Sequence, residues 1–198
     1  MGFGSPDKKM NVIGVTGVIG SGKTTLCKYL EATHGFEFIN ADEIVHQLYK
    51  VGESGYEIIK REFGSEFVGE LEVDRSSLRK FVLQDREQIL RLNKLIHPLV
   101  DEIVSKKIAQ LKALGKSKIC VESFYFEQNG LRNKIDVLVL VDSPTWLIKK
   151  RVIERKIPKE EFDTLLTLQR LMSPRQDLII ENTSDINEFY LQIEKMLI

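Results

Sequence analysis

The sequence predicts a three-layer α/β/α fold, with a five-stranded parallel sheet between two layers of helices. Three observations carry this. A glycine-rich stretch, Gly17-Val18-Ile19-Gly20-Ser21-Gly22-Lys23-Thr24, lies between an apolar run and a helical run. Short apolar runs then alternate with helical stretches, the order expected of parallel strands joined by crossover helices. One of these runs, Asp136-Val137-Leu138-Val139-Leu140-Val141, is apolar nearly throughout, as a strand covered on both faces should be.

Taken in order, Asn11-Val12-Ile13-Gly14-Val15-Thr16 reads as the first strand and Thr25-Leu26-Cys27-Lys28-Tyr29-Leu30 as the first helix. Phe36-Glu37-Phe38-Ile39-Asn40 is a second strand, Lys118-Ile119-Cys120-Val121-Glu122 a third, 136–141 a fourth and Leu178-Ile179-Ile180 a fifth. Between the second and third strands, residues 43–115 have helical periodicity and few strand signals. That length exceeds one crossover helix and predicts a helical lobe beside the site. Within it, His97-Pro98 is expected to open a helix at Leu99, because proline suits a first turn. Residues 146–172 form a second helical stretch, rich in Lys and Arg and broken at Pro158, which reads as a lid. Residues 186–197 close the chain as an amphipathic helix. The expected organisation is a tail over 1–10, then one domain over 11–198. Its core would be 11–42 with 116–198, its lobe about 43–115 and its lid about 146–172.

A chain of 198 residues can bury a sizeable core. Its Lys plus Arg equal its Asp plus Glu, so the zero net charge argues against a duplex nucleic-acid binder. No apolar run approaches membrane-spanning length. The opening Met1-Gly2-Phe3-Gly4-Ser5-Pro6-Asp7-Lys8-Lys9 is too polar for a signal peptide and reads as a tail or an added remnant. Cys27 and Cys120 are expected to be small buried hydrophobes, not a disulfide or a metal site. These features fit a reducing cytoplasm.

The glycine stretch fits G-x-x-x-x-G-K-[ST], the phosphate-binding loop, or P-loop, of nucleoside triphosphate enzymes. Its glycines let backbone N–H groups turn toward an anion, and the helix N-terminus adds partial positive charge. Gly20, Ser21, Gly22, Lys23, Thr24 and Thr25 are the candidate ATP-binding residues, with Lys23 reaching the β- and γ-phosphates and the Thr24 hydroxyl on Mg²⁺. Ligands of open parallel sheets sit beyond the carboxyl ends of the strands. Asp42, after the second strand, is therefore either a general base or Mg²⁺-associated group, or the N-cap of a helix beginning at Glu43. Glu122, ending the third strand, either holds Mg²⁺ through water or is a capping or surface charge, and Glu127 follows shortly after it. Arg151 and Arg155 share one helical face. They either grip phosphate oxygens or belong to a solvated basic face with Lys149, Lys150 and Lys156.

The run Ile13-Gly14-Val15-Thr16 through Lys23-Thr24-Thr25 resembles the opening of dephospho-coenzyme A kinases. Ala41-Asp42, Phe63-Gly64, and Asp74-Arg75 with Leu78 are similar to further segments of that family. The most discriminating piece is Leu92-Asn93-Lys94-Leu95-Ile96-His97-Pro98, which resembles the family's L-N-x-[IL]-x-H-P. Arg151 and Arg155 match its lid arginines, and Ile180-Glu181-Asn182 its final I-x-N. The resemblance spans about Asn11 to Asn182. It implies an ATP-dependent P-loop kinase that phosphorylates the ribose 3′-hydroxyl of dephospho-coenzyme A, the last step of coenzyme A synthesis. It further implies that Asp42 takes the hydroxyl proton and that Lys23 and Arg151 hold the phosphates. Thr16 would lie beside the acceptor sugar, while Arg75, Asn93, His97 and Glu127 would frame the acceptor. Asn182 and Thr183 would lie near the adenine. A cytoplasmic protein that binds neither nucleic acid nor membrane is expected, a monomer with an oligomer as the alternative. A kinase for another small acceptor, or a non-catalytic nucleotide-binding regulator, are the alternatives.

The sequence departs from the family pattern in four places. Asn40 stands where the family has a first aspartate, and Ser123-Phe124-Tyr125-Phe126 where it has Pro-Leu-Leu-x. Ile148 replaces a glutamine at the start of the lid helix, and Val18 replaces the common second glycine of the loop.

Overall fold

A computed structural model describes residues 10–126, 130–154, 159–171, 174–183 and 185–198. The five strands are β1 (Val12–Thr16), β2 (Glu37–Asn40), β3 (Ile119–Glu122), β4 (Val137–Asp142) and β5 (Leu178–Glu181). They pair in parallel in the order β2-β3-β1-β4-β5. Each falls within a residue or two of its apolar run in the sequence.

Alternation along the strands builds two faces. Ile13, Val15, Cys120, Val137, Val139 and Val141 pack with Leu26, Cys27 and Leu30 of α1 (Lys23–His34) and with Phe189, Ile193 and Met196 of α8 (Ile186–Leu197). Val12, Ile119, Val121 and Leu138 face the other way, into the apolar stripes of α2 (Ala41–Leu48), α3 (Ser54–Glu62), α4 (Arg75–Leu83) and α5 (Arg86–Ala113). The four helices between β2 and β3 thus share one core with the sheet. Two short antiparallel bridges, Lys50 with Glu72 and Val68 with Val73, close a turn within them. Cys27 and Cys120 are free and fully buried, with their sulfurs 3.1 Å apart. Burial pushes the Cys27 thiol well above its ordinary pKa, which suits an unreactive side chain.

One expectation is corrected. Pro98 does not open a helix; α5 runs through it for 28 residues. A proline inside a helix costs about 3 kcal/mol through its missing N–H and its ring. Ile96, Val100, Val104 and Ile108 continue one buried stripe across the proline. Each buried side chain contributes about 1.5–3 kcal/mol, so the stripe outweighs the break.

The stretch after β4 forms α6 (Thr145–Glu154) and α7 (Lys159–Leu171). Ile148 and Val152 of α6 and Phe162 and Leu166 of α7 make a small separate core, against which Val18 and Ile19 of the glycine loop pack. The break expected at Pro158 lies outside the described residues. No helix among the described residues is long and apolar enough to cross a membrane.

Candidate active site

The site lies at the carboxyl edge of the sheet, and strand register sets its width. Glu122 of β3 pairs with Val15 of β1 on one side and with Asn40 of β2 on the other. β1 leads into the glycine loop and β2 into α2, so the two sit two strand spacings apart, about 10 Å.

The glycine loop curls as its sequence demands. Gly20 and Gly22 have φ values of 78° and 112°, left-handed backbone that side chains disfavour. Gly22 has a further reason to be glycine, since a Cβ there would lie 2.2 Å from Asn182 Nδ2. The loop ends on the first turn of α1, which carries Lys23, Thr24 and Thr25. Lys23 Nζ donates to the Val18 carbonyl at 3.2 Å. The Thr24 hydroxyl donates to Glu122 Oε1 at 2.9 Å, and Glu122 is buried at the end of β3. The structure therefore brings together the two residues that the sequence offered separately for the metal. A hydroxyl and a carboxylate are hard oxygen donors of the kind Mg²⁺ takes alongside phosphate oxygens and water.

Asp42 sits exposed in the first turn of α2. Of its two sequence readings, the cap falls to another residue. Asn40 is the N-cap, its Oδ1 accepting from the Asp42 N–H at 2.9 Å and from the Glu43 N–H at 3.4 Å. Asparagine here does an aspartate's capping work with no charge. One turn further on, His46 accepts from Arg75 Nη1 at the start of α4. Burial, then the Arg75 charge, lowers the His46 pKa, which keeps the ring neutral and able to accept. A cavity of about 400 Å³ opens beside this pair, lined by Glu72, Val73, Asp74, Arg75, Ser76 and Arg79.

Three of the sequence candidates, Asn93, His97 and Thr16, gather at Phe124 and Tyr125, while Arg75 lies apart at His46. Asn93 Nδ2 donates to the Tyr125 hydroxyl at 2.7 Å. The His97 ring lies 3.9 Å from the Tyr125 ring, centroid to centroid, and the Phe124 ring meets Tyr125 edge-on. Thr16, buried at the end of β1, donates to the Phe124 carbonyl at 3.4 Å. The departure at 123–126 thus lies against the chain's most discriminating segment. Burial alone lowers the His97 pKa to about 4, so the ring is neutral near pH 7.

On the far side, Arg151 of α6 reaches the back of the glycine loop. Its Nη1 donates to the carbonyls of Gly20 and Ser21 at 3.1 and 3.2 Å and to Ser143 Oγ at 3.1 Å. Its Nη2 donates to Asn182 Oδ1 at 2.9 Å. Asn182 is itself buried after β5 and donates through Nδ2 to the Ser21 carbonyl at 2.8 Å. Thr183 follows it, half-buried. The basic-face alternative for Arg151 does not hold, because the guanidinium is half-buried and engaged at four acceptors. Arg155 and Glu127 lie outside the described residues.

Sequence reasoning did not find Ser143, Tyr125 as a hub, or Gln169. A lone serine after a strand carries no pattern. Tyr125 stood out only as a departure. Gln169 lies in a charged helical stretch, and only its helical spacing from Phe162 and Leu166 marks its face.

A parallel α/β/α sheet with this order, a glycine loop opening α1, and acidic groups across the strand ends define a P-loop phosphotransferase. The comparisons then narrow the class. The sequence model of the dephospho-CoA kinases matches residues 11–188, and the chain belongs to that family. It is 33% identical over 182 residues to the dephospho-CoA kinase of Methylococcus capsulatus, covering 89% of each chain. It is 32% identical over 192 residues to that of Helicobacter pylori strain J99, covering 94% of this chain and 96% of the relative. Among solved structures it is similar to TT1252 from Thermus thermophilus, with a TM-score of 0.72 and 26% identity, covering 94% of this chain and 95% of that one. The chain is accordingly a kinase that uses ATP.

Proposed function

We propose that the chain transfers the γ-phosphoryl group of ATP to the ribose 3′-hydroxyl of dephospho-coenzyme A, with Asp42 as general base and Mg²⁺ at Thr24. The observation that supports this is the register at Glu122, which puts the strand leading into the P-loop and the strand leading to Asp42 on either side of β3.

In this reading the loop amides of Gly20 to Thr25 and the Lys23 ammonium hold the phosphates. Bound Mg²⁺ would neutralise charge on the β- and γ-oxygens, held by Thr24 with Glu122 behind it. Asp42, exposed at the cleft, accepts the proton as the hydroxyl oxygen attacks phosphorus. Thr16, Arg75, Asn93, His97 and Glu127 frame the acceptor. Neutral His97 offers a ring face or one N–H, not a charge. Arg151 braces the loop that holds the phosphates, and Arg155 would meet charge on the transferring group. Asn182 and Thr183 border the adenine. The α6–α7 pair acts as the lid and 43–115 as the acceptor lobe. The reading takes the chain to act as a monomer in the cytoplasm.

The test is a coupled ADP-release assay with dephospho-coenzyme A beside other hydroxyl acceptors, with the product's phosphate located by NMR. ADP release driven by another acceptor, and not by dephospho-coenzyme A, would overturn the reading.

A further inference from the structure

Gln169 lies on α7, 150 positions along the chain from Ile19, yet its Oε1 accepts the Ile19 N–H at 2.8 Å. Phe162, Leu166 and Gln169 follow helical spacing and share one face of α7. The first two pack with Ile148 and Val152 over Val18 and Ile19. Apolar side chains at two variable loop positions are thus covered by α6 and α7, and a loop amide is held by α7. The next residue, Arg170, donates through Nη2 to Thr145 Oγ1 at 2.8 Å and ties α7 to the start of α6. The same helix α7 also packs against α4, which begins at Arg75 beside the cavity.

A phosphate-binding loop works through the directions of its amides, and a shift of about 1 Å in such a cradle can cost about a hundredfold in rate. The Ile19 amide is oriented from outside the loop, by a helix that also rests on the lobe.

We propose that Gln169 is a positioning residue for phosphoryl transfer: it ties the glycine loop to α7 through the Ile19 amide, and α7 couples the loop to the lobe through α4. The inference rests on the functional reading above. Coupling of this kind is reciprocal, so each ligand should change the other's affinity by the same factor.

Gln169→Met keeps the side-chain length and removes the acceptor. With this variant kcat for dephospho-coenzyme A should fall about ten- to a hundredfold, with the KM for ATP nearly unchanged. Calorimetric ADP affinity should respond to dephospho-coenzyme A in the wild type and lose that response in the variant. The melting temperature should stay near that of the wild type. Unchanged kcat and unchanged coupling would overturn the proposal. So would a fall in melting temperature and kcat with the coupling retained, which would make Gln169 merely structural. A wild type that does not phosphorylate dephospho-coenzyme A would instead sink the functional reading, and this inference with it.

Discussion

Asp42 and Arg151 show how differently two side chains of one site are supported. Asp42 is exposed, and the capping work beside it is done by Asn40. Its replacement should leave the fold alone and remove the proposed base. Asp42→Asn should therefore lower kcat by about 10²–10⁴-fold with ATP binding little changed, measured by steady-state kinetics beside nucleotide titration. Loss of ATP affinity with kcat intact at saturation would make it a metal or binding group instead. Arg151 is the opposite case, because its planar fork spans Gly20, Ser21, Ser143 and Asn182 together. A lysine ammonium is a point donor and cannot reach all four. Arg151→Lys should lower kcat by at least about tenfold, roughly 1.4 kcal/mol of transition-state stabilisation. An unchanged kcat would mean the brace does not matter to transfer.

Helix α5 carries two titratable groups one turn apart, half-buried His97 and buried Asp101, with opposite pH behaviour. His97 has its pKa lowered by burial from near 6.5 to about 4. Between those values the unfolded chain binds the extra proton, so this contribution to stability is lost as pH falls through that window. Asp101 is buried, and burial raises its pKa from near 3.8 to about 6. Its Oδ2 has no hydrogen-bond partner among the described residues. Here the native state holds the extra proton, so stability is lost as pH rises from near 3.8 through about 6. Asp101→Asn removes the second effect only. It should stabilise the protein above pH 6 by about 2–3 kcal/mol, since each pKa unit is about 1.4 kcal/mol. The gain should vanish near pH 4, as read from melting temperature against pH. Equal gains at both pH values would show that the carboxylate is not the cause. On the same helix, Asn93 relies on the Tyr125 hydroxyl. Tyr125→Phe should raise the KM for dephospho-coenzyme A and leave the KM for ATP unchanged. The reverse pattern would move this cluster out of the acceptor site.

Over the whole molecule, ligand binding and folding stability are linked, because only the folded chain builds the phosphate cradle. A ligand at a hundred times its Kd stabilises the protein by about 2.7 kcal/mol. For a domain of this size that is a rise of roughly 5–10 °C in melting temperature. Lys23→Ala should melt like the wild type without nucleotide and lose most of the rise with ATP. Lys23 is only half-buried and donates to the Val18 carbonyl of the loop, so its removal leaves the core intact. A full ATP-dependent rise in the variant would move the phosphate site elsewhere.

What the sequence determined by itself is whatever depends on neighbours along the chain. Strand runs, the glycine loop with Lys23 and Thr24, and the closing helix are local patterns. Periodicity and backbone freedom write them directly into residue order. Asp42 is marked by its place after the second strand, and the resemblance adds Asn93 and His97 through a spaced motif. Tertiary structure alone decided what depends on residues far apart in sequence. Thr24 meets Glu122 across 98 positions, Asn93 meets Tyr125 across 32, and Ile19 meets Gln169 across 150. Pro98 shows the same division. Its local signal says helix start, and the buried stripe of α5 on the sheet overrides it. A single hydrogen bond or turn preference is worth about 1 kcal/mol, whereas a shared core sums many burials. Where the two conflict, packing wins, and packing partners leave no mark in local order.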